Sequence, residues 1–228
     1  QDSYSATDNA DGDLTAKVQV DGQVNVNAAG SYTLRYQVSD SSGNQGTATR
    51  QVTVMQPVAP TADPAAGLDK VIYLTFDDGP GPATAHLLDF LAAKGVKATF
   101  FVTNTMGHTD MIGRAYREGH SVGIHTYTHQ YSQIYASDDA YWADFDRMAQ
   151  VIRSQTGQDT KLMRFPGGSS NTVSRSYSPG IMSRLTKLMA VKGYTYFDWN
   201  VDSGDASGHT NAASVFQKIT TGVQGKSV

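Results

Sequence analysis

Val71-Ile72-Tyr73-Leu74-Thr75-Phe76-Asp77-Asp78-Gly79-Pro80 is the stretch that decides the fold. Six residues of almost unbroken apolar character predict a strand over 71–76, buried on both faces as in a parallel sheet. It ends in two adjacent carboxylates and turn residues. Working outward, 83–94 reads as a helix with Leu87, Leu88 and Leu91 on one face and Gly95 just past its end. Then come a strand over 97–102, a helix over 110–118 closed by Gly119, and a strand over 121–124. A long helix over 138–155 points Trp142, Phe145, Met148, Ala149 and Ile152 inward and stops at Gly157. A strand over 161–164, a helix near 179–192, a strand over 194–200 and a helix from Asn211 complete the series. Repeated βα units imply an α/β domain with a parallel sheet, open or closed into a barrel. Chemistry in such folds gathers at the carboxyl ends of the strands.

Upstream the pattern changes. Residues 14–20, 23–27, 31–38 and 47–54 read as alternating strands, separated by Asp21-Gly22, Ala29-Gly30 and Ser42-Gly43-Asn44. That spacing predicts a small all-β sandwich over residues 1–55. Residues 56–69 hold Pro57, Pro60, Pro64 and Gly67 with little periodicity and read as a linker. The second domain is expected over 70–228. For 228 residues, against a typical domain of roughly 150, this is one and a half domains.

Composition closes several doors. The chain is 39% hydrophobic and 17% charged, which is enough apolar matter for a real core. A net charge of −3 argues against a nucleic-acid partner. No apolar run approaches the ~18 residues of a membrane span. With no cysteine, any metal must be held by histidine and carboxylate.

Four strand ends carry candidate chemistry. Asp77 and Asp78, adjacent and poorly hydrated, need a cation or a proton, although Asp-Asp-Gly-Pro also suits a plain turn. His125 and His129 are four apart, a spacing that suits a shared metal on one helical face. With Asp78 or Asp77 they form an Asp-His-His set, favouring zinc, with cobalt, manganese or iron as alternatives. Arg164 at the next end wants a carboxylate, which Asp77 or Asp202 could supply. Gly167 lets a backbone N–H approach a ligand. The last end gathers Asp198, Trp199, Asp202 and Asp205. Tyr127, Pro166 and Trp199 are candidate substrate contacts, while the four-residue spacing of Tyr127, Tyr131 and Tyr135 also suits helix packing. His86, His108, His120 and His209 read as structural or solvated.

These residues resemble a known family. From Lys70 onward the chain is similar to the polysaccharide deacetylases of the NodB-homology type, carbohydrate esterase family four. Thr75-Phe76-Asp77-Asp78-Gly79-Pro80 and His125-Thr126-Tyr127-Thr128-His129 carry the resemblance most specifically. Arg164-Phe165-Pro166-Gly167-Gly168 and Asp202-Ser203-Gly204-Asp205-Ala206 follow in the family's order, with alanine at the place of the usual tryptophan. The resemblance implies a distorted (β/α) barrel. It implies a divalent metal on Asp78, His125 and His129, with Asp77 as the base that deprotonates metal-bound water. Arg164 would orient Asp77, the Gly167 N–H would hold the oxyanion and Asp202 would tether the general acid. That acid is a histidine in an L-x-H motif on a late strand, which is expected beyond Val228.

Residues 4–54 resemble the immunoglobulin-like repeats of bacterial surface proteins, through 6–15, Gly30-Ser31-Tyr32-Thr33-Leu34-Arg35-Tyr36 and 38–44. The first strand of that repeat is expected to precede the chain. Together the two resemblances imply an extracellular or wall-associated bacterial enzyme that deacetylates an N-acetylated glycan, foremost peptidoglycan N-acetylglucosamine. An O-acetyl esterase on a polysaccharide such as acetylxylan is the runner-up. A non-catalytic glycan-binding surface protein is the alternative of another class.

Overall fold

A computed structural model describes residues 4–25, 28, 30–54, 71–207 and 211–226. The chain divides into two compact units, Gln1–Pro57 and Val58–Val228. The linker read over 56–69 and His209 lie outside the described residues.

The first unit is all β. Strands β1 (Thr7–Asp8) and β2 (Gly12–Asp13) form a short antiparallel ladder. Strands β3 (Gln19–Asp21), β4 (Gly30–Ser39) and β5 (Gln45–Val54) form an antiparallel sheet in that order. Two expected strands are corrected. The run 14–20 opens with a tight 3-10 turn, Thr15–Lys17, and becomes strand only at Gln19, because the Asp13 carboxylate caps the Thr15 N–H at 2.8 Å and local bonding outcompetes a ladder there. Residues 23–25 are irregular. Leu14 and Leu34 are the buried apolar residues of the unit among those described.

In the second unit, strands β6 (Thr75–Asp77), β7 (Thr99–Val102), β8 (Ser121–Ile124), β9 (Leu162–Met163) and β10 (Thr195–Tyr196) pair in sequential order, all parallel. Between them run helices α1 (Thr84–Lys94), α2 (Asp110–Arg117), α3 (Tyr131–Ile134), α4 (Asp138–Thr156) and α5 (Ile181–Val191), and α6 (Ala212–Gly222) follows. A strand order that never reverses sends every right-handed crossover the same way. That is the logic of a (β/α) barrel, since a doubly wound sheet has a switch point. The core joins Phe100, Val102 and Ile124 of the sheet to Leu88, Ile112, Tyr141, Phe145, Met148, Ile152, Leu185 and Met189 of the helices. Helix α4 carries both end signals: Ser137 Oγ accepts from the Ala140 N–H at 3.0 Å, and Gly157 closes it at φ 72°.

Two strands of the sheet are shorter than their sequences suggest. Pairing of β6 begins at Leu74, whose carbonyl accepts from the Thr99 N–H at 2.9 Å, while Ile72 and Tyr73 are exposed. β6 pairs on one side only among the described residues, and the exposure of Ile72, Tyr73 and Leu74 shows that its apolar run is not covered on both faces. β10, at the other edge, spans two residues rather than 194–200.

Candidate metal and catalytic site

Residues from three strand ends meet. Asp78 follows β6 with φ 67°, in the left-handed region, and its Oδ1 and Asp77 Oδ2 both approach His125 Nε2, at 3.4 and 4.0 Å. Its backbone is held by Thr103, whose hydroxyl donates to the Asp78 carbonyl at 2.9 Å and whose N–H donates to the Gly79 carbonyl at 2.7 Å. His125 follows β8 and is buried, and His129 is half-buried. The segment between them is a loop and not the helical turn that the spacing suggested. Thr126 and His129 take φ 69° and 54°, and this reversal, rather than 3.6-residue periodicity, brings the two rings to 5.1 Å.

The donor chemistry fits a divalent cation. One ligand atom each from Asp78, His125 and His129 lies within 4.8 Å of the others. His129 Nε2 is 3.1 Å and His125 Nε2 3.4 Å from Asp78 Oδ1. His125 Nδ1 is 2.8 Å from the Arg164 carbonyl, which can only accept, so Nδ1 carries the proton and Nε2 offers its lone pair. Burial pushes the His125 pKa down to about 4 against the opposing pull of Asp78, so the ring is in its ligating, neutral form at pH 7.

Arg164, at the end of β9, is buried and spends its guanidinium on four acceptors. It donates to Asp77 Oδ1 at 2.8 Å, Thr75 Oγ1 at 2.8 Å, the Phe197 carbonyl at 2.9 Å and the Asp198 carbonyl at 3.2 Å. The Phe101 ring supports it at 4.3 Å, in space that Gly123 leaves open: a Cβ there would meet Phe101 at 2.6 Å. Of the two carboxylates considered for Arg164, Asp77 is the partner. Burial raises the Asp77 pKa, and Arg164 works against that rise. Asp77 Oδ2 is 4.0 Å from His125 Nε2, so the second carboxylate oxygen faces the ligand set.

The other candidates are placed less centrally. Asp202 accepts from the Gly204 N–H at 2.6 Å, and it is Asp205 whose charge is felt at Asp77. Asp198 accepts from the N–H and hydroxyl of Ser169. Trp199 lies 5.5 Å from the Arg164 guanidinium and is partly exposed. The Pro166 carbonyl accepts from the Tyr135 hydroxyl at 2.7 Å. Gly167 has φ 78°, a Cβ there would meet Tyr131 Oη at 2.6 Å, and no described residue accepts from its N–H. The Tyr127 ring lies 3.9 Å from the Arg147 guanidinium.

A family model described as polysaccharide deacetylase matches residues 65–179, half of the chain. The chain belongs to the polysaccharide deacetylase family. Residues 1–54 match a model described as the Ig-like domain of bacterial surface proteins. The solved catalytic domain of a peptidoglycan N-acetylglucosamine deacetylase from Eubacterium rectale superposes on this deacetylase-family chain with a TM-score of 0.64 at 48% identity, covering 72% of this chain and 78% of that one. A polysaccharide deacetylase from Bacillus cereus superposes with a TM-score of 0.56 at 34% identity, covering 66% and 72%. Among curated proteins, a peptidoglycan-N-acetylglucosamine deacetylase from Bacillus cereus is 37% identical over 138 residues, covering 60% of this chain and 47% of that protein. The chain spans about half, or less, of the length of the curated relatives it matches. These neighbours show the distorted barrel of the family for the second unit.

Sequence reasoning missed two supports of this deacetylase-family site, Thr103 and Asp144. Asp144 had a signal: it stands three residues after Tyr141 and four before Met148, on the buried stripe of α4, where a carboxylate demands partners.

Proposed function

We propose that the protein is a metal-dependent deacetylase acting on an N-acetylated glycan, with peptidoglycan N-acetylglucosamine as the substrate class. The observation that carries the reading is Asp77, fixed through one oxygen by buried Arg164 while the other faces the Asp78, His125 and His129 donors. Those three residues would hold the cation, with zinc favoured by two imidazole nitrogens and one carboxylate. When bound, the cation supplies a Lewis acid and lowers the pKa of water to about 7.

The protein's own groups do the rest. Asp77 accepts the proton of the attacking water, and Arg164 keeps it ionised and aimed despite its burial. The Gly167 N–H, with no acceptor among the described residues, donates to the oxygen that becomes anionic in the tetrahedral state. Trp199, Pro166 and Tyr127 border the approach of the sugar, and Asp202 tethers the acid that protonates the leaving amine. The surface-type repeat over residues 1–54 supports a location outside the cell or on its wall, as does the peptidoglycan substrate for which the deacetylases similar to residues 65–179 are named. No helix among the described residues is long and apolar enough to cross a membrane.

The test is acetate release from acetylated chito-oligosaccharides and from peptidoglycan by the full-length protein, with zinc or cobalt. Release that vanishes in Asp77→Asn supports the reading, and release no greater than that variant's sinks it. A preference for acetylxylan over chitopentaose would make the protein an esterase instead. Stoichiometric glycan binding without turnover would make it a binding protein.

A further inference from the structure

We propose that Asp144, together with Arg147 one helical turn on, is a positioning pair through which α4 holds the 125–129 loop in its metal-ligating shape. The proposal rests on the reading of Asp78, His125 and His129 as metal ligands. Asp144 is 8% exposed, so its carboxylate is out of water and must be satisfied internally. Every partner it has lies between the two histidines. It accepts from the Tyr127 N–H at 2.5 Å, from the Thr128 N–H at 3.2 and 3.3 Å, and from the Thr128 hydroxyl at 2.8 Å. Arg147 covers the ring of Tyr127 at 3.9 Å. The Asn104 N–H, donating to the Tyr127 carbonyl at 3.0 Å, supplies the third attachment.

The loop needs such a hold. Thr126 and His129, on either side of the clamped pair, both sit at positive φ, which costs a residue with a side chain of the order of 1 kcal/mol or more. Thr126 is buried with its hydroxyl unpartnered, so it gives nothing back. A buried carboxylate collecting two consecutive N–H groups is a strong device for fixing a reversal, because charge-assisted bonds are about twice as strong as neutral ones. Without it, the backbone between the two histidines keeps the Asn104 bond but loses the anchors on the Tyr127 and Thr128 N–H groups. The expected consequence is a loss of metal affinity larger than any loss of fold stability in the metal-free state would produce.

The measurement is zinc affinity of the full-length protein by competition with a chelating dye, alongside thermal unfolding in the chelator alone. Asp144→Ala is expected to weaken zinc binding about ten- to one-hundredfold, the range seen when groups orienting metal ligands are removed. Asp144→Asn keeps one acceptor oxygen and is expected to fall between Ala and the parent. Thr128→Val approaches the same bond from the loop side with Asp144 intact, and Arg147→Ala loosens only the ring; both are expected to give losses of a few-fold. Parent-like zinc affinity in folded Asp144→Asn and Thr128→Val would overturn the proposal, whether or not Asp144→Ala folds. Absence of zinc binding in the parent, or binding unchanged in His125→Ala, would instead overturn the metal reading on which it rests.

Discussion

The two walls of the site are held by opposite means. In the first wall Asp77 comes off β6 aligned by the parallel sheet and Arg164 from β9 locks it side chain to side chain, while Asp78 next to it turns at positive φ against Thr103. The His125–His129 wall leaves β8 and reverses through two residues at positive φ, and its hold is on the backbone, from a helix. Sheet register positions the first wall, so its motif is compact and reads directly in sequence. The second depends on a residue 15 positions past His129 and outside any motif.

Predictions that break or sharpen this contrast run from large to small. Asp77→Asn is expected to lower acetate release about 10²- to 10⁴-fold, the worth of a positioned base, while zinc affinity stays near the parent's. A large loss of zinc affinity would make Asp77 a ligand and merge the two walls. Arg164→Ala breaks a pair in which the arginine is enclosed while the Asp77 side chain is 29% exposed. It is expected to cost about 3 kcal/mol in urea unfolding, the low end for a broken buried pair, because water still reaches part of the Asp77 carboxylate. The same variant should move the acid limb of the pH–rate profile to higher pH, since Arg164 is what opposes the raised pKa of Asp77.

The third prediction concerns pH and the second wall. In metal-free protein His125 titrates near 4, below its ordinary 6.5. The unfolded chain therefore binds the proton first, and the stability His125 contributes is whole above about 6.5. It is lost as pH falls toward 4, and His120, also lowered by burial, acts in the same direction. Asp77 has the opposite sign, because a raised carboxylate favours folding at low pH. Urea midpoints between pH 7 and 4 should fall less steeply in His125→Gln than in the parent; equal slopes would remove His125 as the source. Smallest, Thr103→Val deletes the hydroxyl bond to the Asp78 carbonyl and the one shared with Thr105 Oγ1, and should cost about 1–2 kcal/mol, with zinc affinity changed less than in Asp144→Asn. A larger change in Thr103→Val would show that the first wall, too, is held locally.

Legibility followed the same division. The Thr75–Pro80 and His125–His129 motifs, the βα alternation and the α4 caps are local patterns, and local patterns survive in a sequence. The loop shape at 125–129 was misread because four-residue spacing fits a helical turn as well as a double reversal at Thr126 and His129. The apolar run 71–76 overstated β6, since only tertiary pairing decides how far a strand is covered. Arg164's choice of Asp77 over Asp202 joins distant elements, so local spacing left both open and only the family resemblance pointed to Asp77. In the first unit, Asp13 diverted 15–17 into a tight turn through a single side-chain bond.

Helix α4 has one further consequence. The face that buries Tyr141, Phe145, Met148 and Ile152 is also the face that carries Asp144. The histidine loop is therefore shaped only once that helix has seated. Before that, the unfolded chain holds scattered donors, and the donor set comes together in a single event with core condensation.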